Sequence, residues 1–364
     1  MAAYILRRIA LIIPTLFGML LLNFAIIQFV PGGPVEQLIA ELERGEGGGV
    51  GDRFSGGGGD AGQATQTTGD GSYRGRQGID PDLIADLERQ FGLDKPVHER
   101  FVTMIWNYLR FDFGESYQRA EPVIDVILEK LPVSISLGLW STLIAYLISI
   151  PLGIRKAVLD GTPFDTVTSG LIISAYSLPA FLVPVVLLVV FAGGSYLQWF
   201  PLRGLHSEGW QEFSLIGQAL DYAHHIFLPV VAMTIASFAT LTLLTKNSFL
   251  EEIRKQYVLT AKAKGLTRDQ VLYGHVFRNA ILIVVAGFPG AFVRAFFAGS
   301  IFVETVFSLD GLGLLALESI TDRDYPVILG SLFIFGLMGL VLKLVTDILY
   351  VLVDPRIDFE RREG

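Results

Sequence analysis

Six long segments of this chain are nearly free of charge: residues 9–30, 132–154, 166–191, 226–245, 280–303 and 325–353. No other feature limits the fold so strongly. A helix needs about 20 apolar residues to cross the roughly 30 Å of bilayer hydrocarbon. In lipid, each backbone polar group must also find its partner within the protein. The segments therefore predict an all-α polytopic membrane protein with six transmembrane helices. Overall composition decides less. The 364 residues are 51% apolar with a mean hydropathy of +0.51, and soluble chains also approach half apolar.

The first 30 residues contain an apolar run too long for a signal peptide's 7–15-residue core, and no small-residue cleavage site follows. They read as a retained first helix. The chain has no cysteine, which excludes a disulfide framework and thiolate metal sites. A net charge of −8 argues against a nucleic-acid partner. No G-x-x-x-x-G-K-[ST] string occurs, so ATP is not held by that phosphate loop.

Lys and Arg placement sets the orientation. Arg7 and Arg8 precede the first span, and Arg155 and Lys156 follow the second. Lys246, Arg254, Lys255, Lys262, Lys264, Arg268 and Arg278 follow the fourth, and Arg356, Arg361 and Arg362 lie in the tail. The opposite short loops hold one basic residue each, Arg203 and Arg323. Both termini, including the tail 354–364, are thus expected in the cytoplasm, and the segment 31–131 outside. Within that segment, residues 45–78 form a Gly-rich insert. Asp80-Pro81 starts one expected helix, with Leu83, Ile84, Leu87 and Phe91 at helical spacing. Lys95-Pro96 starts a second, with Phe101, Met104, Ile105, Tyr108 and Leu109 on one face. The core, 132–353, carries the remaining five spans. Pro132 and Pro151 are expected near the ends of the second span, and Pro179 and Pro184 lie inside the third.

The most basic short loop spans about residues 250–280. Residues 251–264 have helical character. Gly265 suits the left-handed position after a helix, with Leu266 as its apolar partner. Thr267 and Gln270 match a capping box, so a second helix should follow at once. Helix, sharp turn and helix are therefore expected. From local features, this element suits either anionic lipid or a protein partner.

Tyr257-Val258-Leu259-Thr260-Ala261-Lys262-Ala263-Lys264-Gly265, followed by His275-Val276-Phe277-Arg278-Asn279-Ala280, resembles the EAA region of binding-protein-dependent ABC importer permeases. The di- and oligopeptide branch is the nearest match. Blocks at 6–15, 91–96, 113–116, 307–313, 323–326 and 354–357 resemble the same branch in the same order. The Gly-rich insert, residues 246–250 and the tail narrow the resemblance to the Yej-type permeases of microcin C and peptide uptake. Gly33 and Ile283 depart from the general pattern, and Leu259 stands where other branches carry Glu.

The resemblance implies a type I ABC importer permease that takes up peptides or peptide-like compounds. Its partners would be a second homologous permease, an ATPase that holds ATP and Mg, and a periplasmic peptide-binding protein, with membrane lipid around it. No cofactor is expected on this chain. Tyr257, Val258, Thr260, Ala261, Lys262, Ala263, Lys264 and Gly265 would form the ATPase-coupling site, with the later residues levering the fifth span. Ala261, Ala263 and Gly265 would allow close approach of the partner. Arg203, Asp310 and Asp324 would meet the binding protein.

Ionisable groups inside spans are costly, at about 2.5–3.5 kcal/mol near a helix centre, and call for partners or water. Arg294 and Pro179 are candidate translocation-path residues, with Arg294 either facing a peptide carboxylate in the path or pairing across helices. Lys343 and Asp347, four apart, are expected to pair. Glu304 is expected at the interface. Two rival functions remain on residue grounds. An intramembrane hydrolase could use Ser195 after Gly193-Gly194, although His206 lies in a loop. A proton-coupled secondary transporter could use Asp347.

Overall fold

The computed structural model describes residues 2–29, 95–193, 196–296 and 300–353. Helices dominate, and no strand is present among the described residues; Glu115 and Pro122 make an isolated bridge. The chain separates into two compact units, Phe17–Asp112 and a larger one of Met1–Leu16 with Phe113–Gly364.

Helix α1, Ala2–Phe29, contributes its later part to the smaller unit. Helix α2, Val97–Leu109, starts after Pro96. Its expected face is present: Tyr108 is buried, and Phe101, Met104 and Ile105 are half-buried. Leu109 departs from it and is exposed. The Phe101 ring packs against Phe17 and Phe24, with centroids 5.8 and 5.1 Å away. The Gly-rich insert and the expected helix after Asp80 lie outside the described residues.

Beyond residue 112, the first helix of the larger unit is α3, Val123–Val158. It is longer than expected, because Pro132 and Pro151 both sit inside it. Val123, Val126 and Ile127 are buried before the first proline, and Ile154 and Ala157 after the second. Tertiary packing on both sides thus overrides the local helix-breaking tendency. Next come α4, Pro163–Tyr176, and α5, Leu182–Phe191. Helix α6 runs from Leu215 to Ile253, and the Ser214 side chain caps it by accepting from Gly217 N–H. Its two arms meet at 51° around residue 236. Beside the bend, Ser237 Oγ donates to the Met233 carbonyl at 3.5 Å, a bond type that bends helices. Helices α3 and α6 pack along each other and form the centre of this unit.

The chain continues through α7, Gln256–Ala263, and α8, Arg268–Val271. A π turn at Leu272–Val276 leads into α9, Phe277–Ala286, and then α10, Phe288–Arg294. Helices α11, Ser300–Val306, α12, Leu312–Thr321, and α13, Tyr325–Val353, complete it.

Four of these stretches are long and apolar enough to cross a membrane: Leu6–Ile26, Val123–Val158, Arg268–Val293 and Tyr325–Ile348. The two arms of α6 pass the same test only when taken together as one bent span, which would be a fifth. The expected span 166–191 is instead two short helices, interrupted around Pro179. Proline disfavours helical geometry at the residue before it, here Leu178. The expected span 280–303 is also redrawn. It starts at Arg268, where the capping box opens a helix, and Val303 lies in the separate α11.

Glu304 corrects another expectation, since it is fully buried. Its carboxylate accepts Ser134 Oγ at 2.7 Å and Leu314 N–H at 2.9 Å. Ser134 Oγ in turn accepts Leu312 N–H at 2.8 Å. A Cβ at Gly311 would overlap this carboxylate, and one at Gly313 would lie 2.9 Å from it. A buried carboxylate is tolerated when hydrogen bonds replace its water. Glu304 therefore organises the 307–313 turn from inside.

Candidate functional site

Helix α7 has two distinct faces. Val258 is 1% exposed and Ala261 7% exposed. They pack with Ile154 and Ala157 of α3, Phe249 of α6, and Val271, Val276 and Ala280 beyond the turn. Gln256, Leu259, Thr260, Lys262, Ala263, Lys264 and Gly265 are exposed. The small side chain of Ala261 thus serves packing within the chain, and Val258 is an anchor rather than a contact surface. Leu259 is 56% exposed at the centre of the outward face. Sequence reasoning noted it only as a departure from Glu. Its helical phase relative to Val258 and Ala261 was the signal that could have singled it out.

The turn follows its local chemistry. Gly265 has φ +85°, a conformation that glycine adopts without a Cβ penalty. Leu266 N–H donates to the Ala261 carbonyl at 3.4 Å, and Gly265 N–H to the Lys262 carbonyl at 3.0 Å. Thr267 and Gln270 form both halves of the capping box. The second helix is short, because α8 passes into the π turn after four residues. π turns inside helices often accompany functional sites.

Three side chains tie this element to the bundle. Arg268 Nη2 donates to the Val158 carbonyl at 2.8 Å, and Ser248 Oγ to the Ala280 carbonyl at 2.7 Å. The Tyr257 hydroxyl donates to Glu252 at 2.7 Å and accepts from Asn279 Nδ2 at 3.3 Å. Burial, then the Glu252 carboxylate, pushes the Tyr257 pKa up, so the phenol keeps its proton. A cavity of about 430 Å³ adjoins α7, lined by Ala157, Val258, Val271 and Val276 together with Lys262 and Arg268.

A second cavity, of about 520 Å³, lies among the long helices. Thr142, Tyr146, Met233, Ser237, Thr240 and Phe302 line it, and the rest of its wall is alanines, Gly287 and aliphatic side chains. None of its lining residues is charged. The Tyr146 hydroxyl donates to the Val284 carbonyl at 3.1 Å. Pro179 is exposed in the break between α4 and α5, and its neighbour Ala180 lines the cavity. Arg294 closes α10, and its side chain lies outside the described residues.

Other expected residues are redistributed. Asp347 pairs with Arg8 Nε at 3.2 Å rather than with Lys343, whose side chain is exposed. The longer reach across helices wins over the i, i+4 pair. Asp324 is 3% exposed and accepts Ser116 Oγ at 2.5 Å, which removes it from any docking surface. Asp310 keeps 60% of its side chain exposed while pairing with Lys130, and Arg203 is exposed. Gly194 and Ser195 lie outside the described residues, and His206 stacks on Trp210 with centroids 4.8 Å apart.

Residues 149–359 match the family described as binding-protein-dependent transport system inner membrane component. The chain belongs to this family. The matched region contains both cavities' main walls and all of α7. Full-length relatives agree. The peptidoglycan transport system permease protein YejB of Agrobacterium fabrum is 58% identical, with 100% of both chains covered. The inner membrane ABC transporter permease protein YejB of Escherichia coli O157:H7 is 53% identical over the same full coverage. The dipeptide transport system permease protein DppB of Escherichia coli K12 is 31% identical, covering 98% of this chain and 99% of that one. The chain is thus a multi-pass inner-membrane transport subunit that works with other subunits of an ABC importer.

Proposed function

We propose that this chain is one of two permease subunits of an ATP-driven importer of peptides or peptide-like compounds. Both termini and α7 lie in the cytoplasm. A periplasmic binding protein delivers the cargo, and a second, similar permease completes the path. ATP and Mg are held on separate ATPase subunits. The observation that carries this reading is the division of α7 into an anchored face, Val258 and Ala261, and an outward face centred on Leu259. An isolated short helix is marginal in water, and docking on α3 fixes its orientation. Lys262 and Lys264 then flank an apolar spot, a pattern suited to an acidic-rimmed groove on the ATPase.

The uncharged cavity supports the cargo class. Hydroxyls at Thr142, Ser237 and Thr240 suit peptide groups common to all sequences, while the wall offers no charge to select or trap one side chain. The deciding experiment is uptake of a labelled tripeptide into proteoliposomes. Import by the full complex should require ATP hydrolysis and persist after the proton gradient is collapsed. Import by this chain alone, or import abolished by an ionophore with ATP present, would overturn the reading.

A further inference from the structure

Lys156 is fully buried. Its ammonium nitrogen lies 3.0 Å from Asp165 Oδ1 and donates to the Asp165 carbonyl at 3.0 Å. It also donates to Thr168 Oγ1 and Ser169 Oγ, each at 2.8 Å. The second Asp165 oxygen, Oδ2, accepts Lys246 Nζ at 2.7 Å and Gly161 N–H at 3.3 Å. Lys246 reaches Asp160 at 3.0 Å, and Asp160 lies 3.6 Å from Arg254. The cluster therefore joins the last turn of α3, the first turns of α4 and the final arm of α6. The Lys246 hydrogen bond holds the Asp165 pKa down to about 2 against the opposing effect of burial, with help from Lys156 and Gly161.

The same turn of α3 carries α7. Ile154 and Ala157, on either side of Lys156, pack against Val258 and Ala261. Arg268 binds the Val158 carbonyl, and Arg254 precedes α7 by two residues. A Cβ on Gly153 would lie 2.6 Å from Thr245 Cβ, so α3 and α6 approach closely next to both lysines. Buried ion pairs contribute little net stability relative to apolar packing. They do fix relative geometry, since each charge loses its partners when the parts separate.

We propose that Lys156, Asp165 and Lys246 are positioning residues for coupling, joining the ends of α3, α4 and α6 into one block that moves with α7. A push on α7 then displaces three helices beside the membrane cavity, as well as α9. This rests on the reading of α7 as the ATPase contact.

The absence of native cysteine allows a direct test in the assembled complex. Spin labels at Thr166→Cys and Asp269→Cys report the distance between α4 and the segment after α7. That distance should stay constant when ATP binds, and should change with ATP in the added presence of Asp165→Asn. The Asp165→Asn complex should assemble and hydrolyse ATP while tripeptide uptake per ATP falls several-fold, with Asp165→Glu restoring most of it. A distance that already changes with ATP in the otherwise native chain overturns the proposal. So does unchanged uptake per ATP in Asp165→Asn, or loss of assembly in both Asp165→Asn and Lys246→Gln that accounts for all lost uptake. Failure of the underlying reading shows separately, as normal ATPase binding by Leu259→Ser.

Discussion

Glu304 shows how much one residue's placement depends on contacts distant in sequence. Near the end of an apolar run it reads as a surface group, yet Ser134, 170 positions earlier, supplies one of its donors. Ser134→Ala removes that donor and the acceptor for Leu312 N–H. Leaving buried polar groups so exposed to loss costs about 1–3 kcal/mol, and a lowered thermal midpoint in detergent should register it. Gly311→Ala should be more severe, because its Cβ overlaps the carboxylate, whereas Ala at Gly170 meets open space. Folded yield after purification compares the two. Asp165 sets a different expectation, because its carboxyl titrates near about 2 rather than at the ordinary 3.8. A depressed carboxylate stabilises the folded state above its unfolded pKa and loses that contribution as pH falls through the folded one. Protection of residues 159–165 from hydrogen exchange should hold from neutral pH down to about 4 and then decline toward about 2.

Among the elements, α7 and its turn were the most legible in sequence. Gly265, Leu266, Thr267 and Gln270 act through neighbours within five residues, so their chemistry is local and readable. Which side of α7 faces inward was not legible, because Ile154 and Phe249 belong to other helices. Most of the spans were visible as apolar runs, but α3 ran through two prolines and the third expected span broke at one. Hydropathy does not register whether neighbours pack on both sides of a proline. The two faces of α7 make separable predictions. Leu259→Ser removes the exposed apolar contact and should leave membrane insertion intact while weakening ATPase co-purification several-fold. Ala261→Phe overfills a packed site, at about 1–3 kcal/mol for typical core overpacking, and should shift α7 while also lowering the thermal midpoint. Gly265→Pro demands φ near −65° where the chain has +85°. It should abolish ATP-driven uptake, and normal uptake would count heavily against the coupling role.

At the scale of the whole molecule, the family match spans residues 149–359, and most of the wall of the uncharged cavity proposed as the path lies in that range. Met233→Trp should occupy part of that volume and reduce tripeptide uptake several-fold, with complex assembly unchanged on a sizing column. The rival proton-coupled scheme had relied on Asp347, and the structure gives that carboxylate to Arg8 instead. The cavity could not be read from any single segment, since α3, α6 and the stretch around Gly287 each supply only part of its wall. The Arg8–Asp347 pair also has a bearing on biogenesis. Arg8 and Asp347 are separated by all the other spans in the sequence, so the pair closes only after the helices between them have been made.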